Sequence, residues 1–321
     1  MLSVFLVSMN SVLIIITIIV IGIIIRNMHI VSDQFSTDIS NVLIDVALPL
    51  SIMLLTQRYV TKNNFKILTV GTILIMVAIL ICFFIAYLIS RGLKLDKSRR
   101  SIFINGFVNS NTLFVGMPLN IALFGIKSMP YFLCYFVANT IATWGIGVKI
   151  VYKDGPQNRS TSSRKPLKRL VNLFTPPMWG FILGLIFFAT SFEVTGFLKE
   201  SFSYIGNLVT PLSLMFLGLQ LGKTKFSEMK VERLDLMAQF GKFVVSPFVM
   251  LLVIVAAQRM QIVSLGSIFI KTMVVQAATP MLNVLPILAD QAKMDIPFST
   301  RILTESILIF PVAVVVIMLL V

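Results

Sequence analysis

The chain has 321 residues, of which 57% are hydrophobic and only 12% are charged. Soluble globular domains carry about 25% charged residues, so this composition excludes an ordinary soluble domain and predicts a polytopic membrane protein. The formal net charge of +14 would suggest a nucleic-acid partner for a soluble protein. In a membrane protein an excess of Lys and Arg sets the orientation in the bilayer, so we expect no nucleic-acid partner.

Uncharged apolar runs predict the membrane-spanning helices. At about 20 residues per helix, the chain has room for about ten spans and no large soluble domain. The predicted spans 1 to 10 are 4–25, 39–56, 67–90, 102–125, 129–148, 173–192, 201–222, 236–257, 266–289 and 302–321. Lys and Arg are concentrated in the loops after the odd-numbered spans. The positive-inside rule then predicts a multi-pass protein of the plasma membrane with both termini outside the cytoplasm.

The longest loop is basic and rich in Ser, and it separates two halves of five spans. The expected divisions are a first five-helix repeat at 1–150, a basic cytoplasmic linker at 151–172 and a second repeat at 173–321. VALPLSIMLL at 46–55 aligns with LVTPLSLMFL at 208–217, and the same offset places Pro118 on Pro280. Because each half has an odd number of spans, the second half is expected to be inverted, as in many secondary transporters.

Spans 4 and 9 are polar and contain Gly and Pro. Proline removes a backbone donor and clashes with the preceding turn, so both helices are predicted to be interrupted near the middle of the membrane. Paired interrupted spans are typical of a transport site, although a single kinked span containing Asn is more often a packing feature. The candidate substrate-binding residues are Asn109, Ser110, Asn111, Thr112, Gly116 and Pro118 in span 4, and Lys271, Gln276, Thr279, Pro280 and Asn283 in span 9.

Four ionisable residues fall within the spans, where a charge at the centre costs about 2.5 to 3.5 kcal/mol on insertion scales. Lys271, about 13 Å before the proline of span 9 along a helix, could neutralise an anion, replace a coupling cation or snorkel to the interface. Lys242 could pair with Asp235 or Glu305, or reach the carbonyl ends of the broken helices. Glu305 is a candidate proton carrier, and Asp45 is expected to form a helix-to-helix hydrogen bond.

Three motifs resemble a known family. NTLFVGMPLNIALFG at 111–125 resembles the Asn-x-x-x-x-Gly-x-Pro signature of the auxin efflux carrier family, which includes bacterial malate and malonate permeases. QAATPMLNVLPILA at 276–289 is similar to the second crossing segment of that family, and FTPPMWGFILGL at 174–185 resembles its sixth span.

The resemblance implies ten helices with two crossed, broken helices in spans 4 and 9. It also implies a scaffold of spans 1, 2, 6 and 7, and a moving transport domain of spans 3 to 5 and 8 to 10. A substrate carboxylate would bind at the crossover beside Asn111, Pro118 and Pro280. The plant carriers' long central hydrophilic loop is absent, which favours the bacterial organic-acid branch.

These features predict a secondary carrier of small organic anions, such as malate, that works by elevator-like alternating access without a cofactor or metal. Half-helices beginning at the breaks would point N–H groups and positive dipole ends at a carboxylate. The alternatives are an auxin-like monocarboxylate carrier and a sodium-coupled carrier. An intramembrane enzyme or a channel fits less well, since the single histidine, His29, excludes the two-histidine metalloprotease motif.

The expected partners are the anion, membrane lipids and a possible second copy of the chain. Gly180 and Gly184 in span 6 have the small-xxx-small spacing that allows two helices to approach closely. This spacing is consistent with packing inside the chain or with a homodimer interface.

Overall fold

The computed structural model describes residues 2–32, 34–155, 175–223, 231–262 and 264–320. Their regular secondary structure is helical. We number the helices α1 Leu2–Asn27, α2 Phe35–Tyr59, α3 Lys62–Gly92, α4 Lys97–Val108, α5 Thr112–Phe124, α6 Ile126–Asp154, α7 Pro176–Thr190, α8 Gly196–Gly222, α9 Arg233–Arg259, α10 Ser267–Ala277, α11 Leu285–Gln291 and α12 Ile296–Leu320. Most of the predicted basic linker at 151–172 lies outside the described residues.

Six of the described helices, namely α2, α3, α6, α8, α9 and α12, are long and apolar enough to cross a membrane. The part of α1 from Leu13 to Asn27 and the shorter helices α5, α7 and α10 are apolar and stand at the other four predicted spans. The prediction of an all-helical, polytopic membrane protein is therefore confirmed. A total of ten membrane crossings stays a prediction, because α5, α7 and α10 are each shorter than a full span.

The described residues form two compact units. Unit 1 takes its residues from 1–69, 113–133 and 174–227, and unit 2 takes its residues from 70–112, 134–173 and 228–321. Each unit combines segments of both halves of the chain, largely as the scaffold and the transport domain implied by the resemblance. Helix α5 departs from that scheme and belongs to unit 1, where the ring of Phe114 lies 5.0 Å from the ring of Phe216 in α8.

Within unit 1, helix α7 packs directly on the backbone of α2. A Cβ atom at Gly180 would lie 2.7 Å from the Cα atom of Pro49, and one at Gly184 would lie 2.8 Å from the carbonyl oxygen of Met53. Both distances are too short for any residue larger than glycine without a shift of the helices. The small-residue spacing of span 6 thus serves packing inside the chain, and a homodimer stays a prediction.

Within unit 2, the polar helix α4 is enclosed by protein. Every residue from 101 to 112 is buried. Irregular backbone at membrane depth is tolerated only where it is buried in protein or lines a watery cavity. The polar side chains of span 4 are therefore expected to satisfy one another and their neighbours inside the unit rather than face lipid.

An ion-pair cluster joins residues at or near the starts of α4, α9 and α12. Arg99 lies 2.7 Å from the Asp295 carboxylate and 2.9 Å from that of Glu232, while Arg301 lies 2.7 Å from Asp235 and 2.9 Å from Glu232. The hydrogen bond from Arg99 to Asp295 is the main reason why the pKa of Arg99 is raised. The cluster holds the starts of three helices of unit 2 together through charge-assisted hydrogen bonds.

Candidate functional site

Span 4 is interrupted between α4 and α5, where residues 109–111 leave the helical conformation. Asn109 is extended, with φ −78° and ψ 132°. Pro118 follows later, in the first turn of the α-helical stretch Met117–Phe124, a position where its missing N–H group costs little. The predicted interruption is confirmed, but the proline does not cause it.

Side chains of α6 hold the unwound backbone in place. The Asn139 amide accepts a hydrogen bond from the N–H group of Ser110 at 3.1 Å and donates one to the Ser110 carbonyl oxygen, also at 3.1 Å. The Ser110 hydroxyl shares a hydrogen bond with the Tyr135 hydroxyl at 3.0 Å. These bonds replace the helical ones that the backbone gives up.

Span 9 is also interrupted, between the end of α10 at Ala277 and the start of α11 at Leu285. The two breaks lie against each other in unit 2. The Asn111 N–H group donates to the carbonyl oxygen of Pro280 at 2.9 Å, and Ser110 and Met281 form an antiparallel bridge. The Met281 N–H group donates to the Ser306 hydroxyl at 3.1 Å. The prediction that the broken parts of spans 4 and 9 meet is confirmed.

The two breaks differ in the hydrogen-bond donors that they leave open. The N–H groups from Asn109 to Thr112 all have acceptors. In span 9, by contrast, the N–H groups of Leu282, Asn283 and Val284 find no acceptor among the described residues, and all three residues are only half-buried. Free backbone donors are therefore offered by the break of span 9 and not by residues 109–112.

The other candidates are distributed around these breaks. The Asn109 amide donates to the Asn105 side chain at 2.7 Å, and its own buried Oδ1 atom lacks a donor within the described part of the chain. The Thr279 hydroxyl donates to the carbonyl oxygen of Gln276 at 2.9 Å. Thr112 is buried beside the first break. These side chains therefore lie at the two breaks or next to them.

Three further candidates lie within helices, outside the two breaks. Gly116 and Pro118 belong to unit 1. Lys271 is half-buried in α10 of unit 2, and no hydrogen bond or ion pair of its amine is found among the residues that the structure covers. The position of Lys271 leaves its charge available to solvent or to a solute.

Lys242 pairs with neither Asp235 nor Glu305, the two carboxylates that were predicted as its partners. Its ammonium group donates to the Ser110 hydroxyl at 2.6 Å and to the Val108 carbonyl oxygen at 3.3 Å. Asp235 is instead paired with Arg301, and Glu305 accepts a hydrogen bond from Gln239 at 3.3 Å. Pairing of Lys242 with either carboxylate is therefore wrong, and contact with the carbonyl end of a broken helix is confirmed.

Of the two remaining ionisable candidates, Asp45 differs from expectation, and the role of Glu305 as a proton carrier stays a prediction. Asp45 is exposed in a π-helical turn of α2, Leu43–Ala47. It forms no hydrogen bond with any described residue, so the expected helix-to-helix bond is wrong. The Oε1 atom of Glu305 is buried and has no donor among the described residues.

Tyr135 and Asn139, the residues of α6 that clamp the first break, were missed by the sequence argument. They are four residues apart in span 5, so they lie on the same face of the helix. Two polar side chains at that spacing in an apolar span were the signal that could have identified them.

Comparison with known proteins identifies the family. A family model described as membrane transport protein matches residues 7–318. An uncharacterized transporter of Methanothermobacter thermautotrophicus is 24% identical over 218 residues, which cover 68% of this chain and 69% of the relative. An uncharacterized transporter of Methanocaldococcus jannaschii is 24% identical over 247 residues, which cover 75% and 77% of the two chains. The chain therefore belongs to the membrane transport protein family, the auxin efflux carrier family that its motifs resemble, and it is a transporter rather than an enzyme.

Proposed function

We propose that the protein is a secondary transporter of small organic anions, with dicarboxylates such as malate as substrates, and that it works by elevator-like alternating access. The observation that supports this proposal best is the half-buried run of open N–H groups at Leu282, Asn283 and Val284. Backbone N–H groups form strong hydrogen bonds with carboxylates because the acceptor is charged.

A lysine on the helix that precedes this run also favours an anion. Lys271 on the preceding helix α10 carries a positive charge and is only half-buried. Asn283 supplies a further feature, since its buried Oδ1 atom has no donor among the described residues. A hydroxyl group on the substrate would satisfy that acceptor, and a hydroxy acid such as malate offers both a carboxylate and a hydroxyl.

The substrate class is tested by counterflow in proteoliposomes that contain the purified protein. Labelled malate, malonate, lactate and indole acetate are offered in turn to vesicles preloaded with the same unlabelled compound. We expect accumulation of malate above that of malonate and indole acetate, which have no hydroxyl group for the Asn283 oxygen. Preference for indole acetate would assign the protein to auxin-like monocarboxylates instead, and the absence of counterflow with every carboxylate would refute an organic-anion carrier.

The site is tested with Asn283→Asp, which places a negative charge beside the open N–H groups. Repulsion between two carboxylates is expected to lower malate uptake by at least about ten-fold. The matched control is Asn63→Asp, the same substitution at an exposed position at the start of α3. Uptake by Asn283→Asp at the rate of Asn63→Asp, with equal amounts of both proteins in the vesicles, would remove the run 282–284 from the site.

A further inference from the structure

The carbonyl end of α4 is closed by two side chains from one turn of α9. The Phe107 carbonyl oxygen accepts a hydrogen bond from the Ser246 hydroxyl at 3.0 Å, and the Val108 carbonyl oxygen accepts one from the Lys242 ammonium group at 3.3 Å. The same ammonium group lies 2.6 Å from the Ser110 hydroxyl oxygen. The Lys242 amine therefore lies among the oxygen atoms of the first break.

The environment of this charge is unusual for a lysine. Lys242 is fully buried, with 0% of its surface exposed. None of the ion pairs among the described residues includes its amine. A buried ammonium group without a counter-ion is costly. Here the partial negative charge at the carboxyl end of α4 takes the place of the counter-ion.

The local fold of α9 aims this side chain at the break. Residues Gly241–Val245 form a π-helical turn, and such turns are frequent at functional sites. Gly241 packs against the ring of Phe107, where a side chain would collide with the ring. Lys242 and Ser246 are four residues apart, so both face the carboxyl end of α4, where they bond neighbouring carbonyl groups.

In carriers built from broken helices, unwound carbonyl groups and the carboxyl ends of half-helices hold the coupling cation. We propose that the ammonium group of Lys242 permanently fills this cation position, and that the protein therefore moves its substrate without sodium. The oxygen atoms of Val108 and Ser110 bind the lysine as they would bind an ion. For its transport readout this inference rests on the proposed function, but the position of the cation is tested independently of any substrate.

Two substitutions separate charge from volume. Lys242→Ala removes the charge and leaves space between the oxygen atoms of Val108 and Ser110, which a sodium ion can enter. Lys242→Met also removes the charge, but its side chain fills the space with apolar atoms. Ser246→Ala is the matched control, because it removes a neutral donor from the neighbouring carbonyl group and leaves the lysine in place.

The first experiment measures the melting temperature of each purified variant in sodium chloride and in choline chloride at equal ionic strength. We expect equal values in the two salts for the wild type and for Ser246→Ala. Lys242→Ala should melt lower than the wild type in choline and recover in sodium, and Lys242→Met should melt lower in both salts. Stabilisation of the wild type by sodium, or a Lys242→Ala variant that sodium does not stabilise, would overturn the assignment.

The second experiment measures malate uptake into proteoliposomes with and without an inward sodium gradient. Wild-type uptake should be equal in both, whereas uptake by Lys242→Ala should fall at least about ten-fold without sodium and rise when sodium is added. Wild-type uptake that requires sodium would overturn this inference and leave the proposed function intact. If no carboxylate is taken up under any condition, the proposed function fails, and the melting temperatures still decide the role of Lys242.

Discussion

Replacement of Asn139 by alanine should disrupt the break of span 4. The Asn139 side chain bonds both the N–H group and the carbonyl oxygen of Ser110, each at 3.1 Å. Only 3% of Asn139 and 1% of Ser110 are exposed, so water does not take over these two bonds. A buried polar group without a partner costs about 1 to 3 kcal/mol, and two such groups therefore cost about 2 to 6 kcal/mol.

This loss is large enough to be measured in two ways. A change of about 2 kcal/mol or more lowers the population of the native break by more than about ten-fold. It should also lower the melting temperature by about 3 °C or more. The assays are thermal unfolding of the purified protein in detergent and malate counterflow at matched protein density in the vesicles.

A matched control is provided by Asn120→Ala in unit 1. Asn120 is also fully buried. Its amide donates one hydrogen bond to oxygen, to the Ser128 hydroxyl at 2.7 Å, and makes a weaker one with the Met129 sulfur at 3.9 Å. The Ser128 hydroxyl keeps a second partner, the Gly125 carbonyl oxygen at 2.6 Å. The destabilisation should thus be smaller, at about 1 kcal/mol. If Asn139→Ala melts like the wild type or like Asn120→Ala, the clamp on the first break is not the source of its stability.

Two further predictions concern packing and ion pairs. Asp235→Ala should lower the free energy of unfolding by about 3 kcal/mol, because it removes a fully buried partner of Arg301. Glu232→Ala should lower it by less than about 1 kcal/mol, because the Glu232 carboxylate is 42% exposed. Equal melting temperatures of the two variants would contradict this prediction. Gly180→Ala should lower the free energy of unfolding by about 1 to 3 kcal/mol, because the added methyl group forces α7 away from α2. Gly145→Ala, which meets no atom within 4 Å, should unfold like the wild type, and an equally stable Gly180→Ala would show that the helices can separate freely.

The positions of the helices and of the breaks were largely predictable from the sequence. Long uncharged runs give the spans because the bilayer admits few alternatives to an apolar helix. The polar residues Asn109 and Asn111 marked the first break better than Pro118 did, since proline is accommodated at the start of a helix. Pro280, in contrast, lies inside the unwound segment of span 9.

The partners of the buried charges were not predictable in the same way. Lys242 binds a hydroxyl group and a backbone carbonyl of the first break, and a search for carboxylates in the sequence does not find such partners. Asp235 is engaged by Arg301, although Lys242 is closer in the sequence. Contacts between distant segments depend on packing, which a pattern of residue types along one helix does not specify.

Unit 2 is built from segments of both halves of the chain, and this affects how the protein folds during synthesis. The unwound residues 109–111 take one backbone partner, Pro280, from a part of the chain that is synthesised much later. At about 5 to 20 residues per second, the ribosome needs on the order of ten seconds to reach it. During this time the first half of the chain is in the membrane while residues 109–111 lack their partner in span 9. We expect quality-control proteases to remove a chain that stops after α6, and co-expression of the missing half to rescue it.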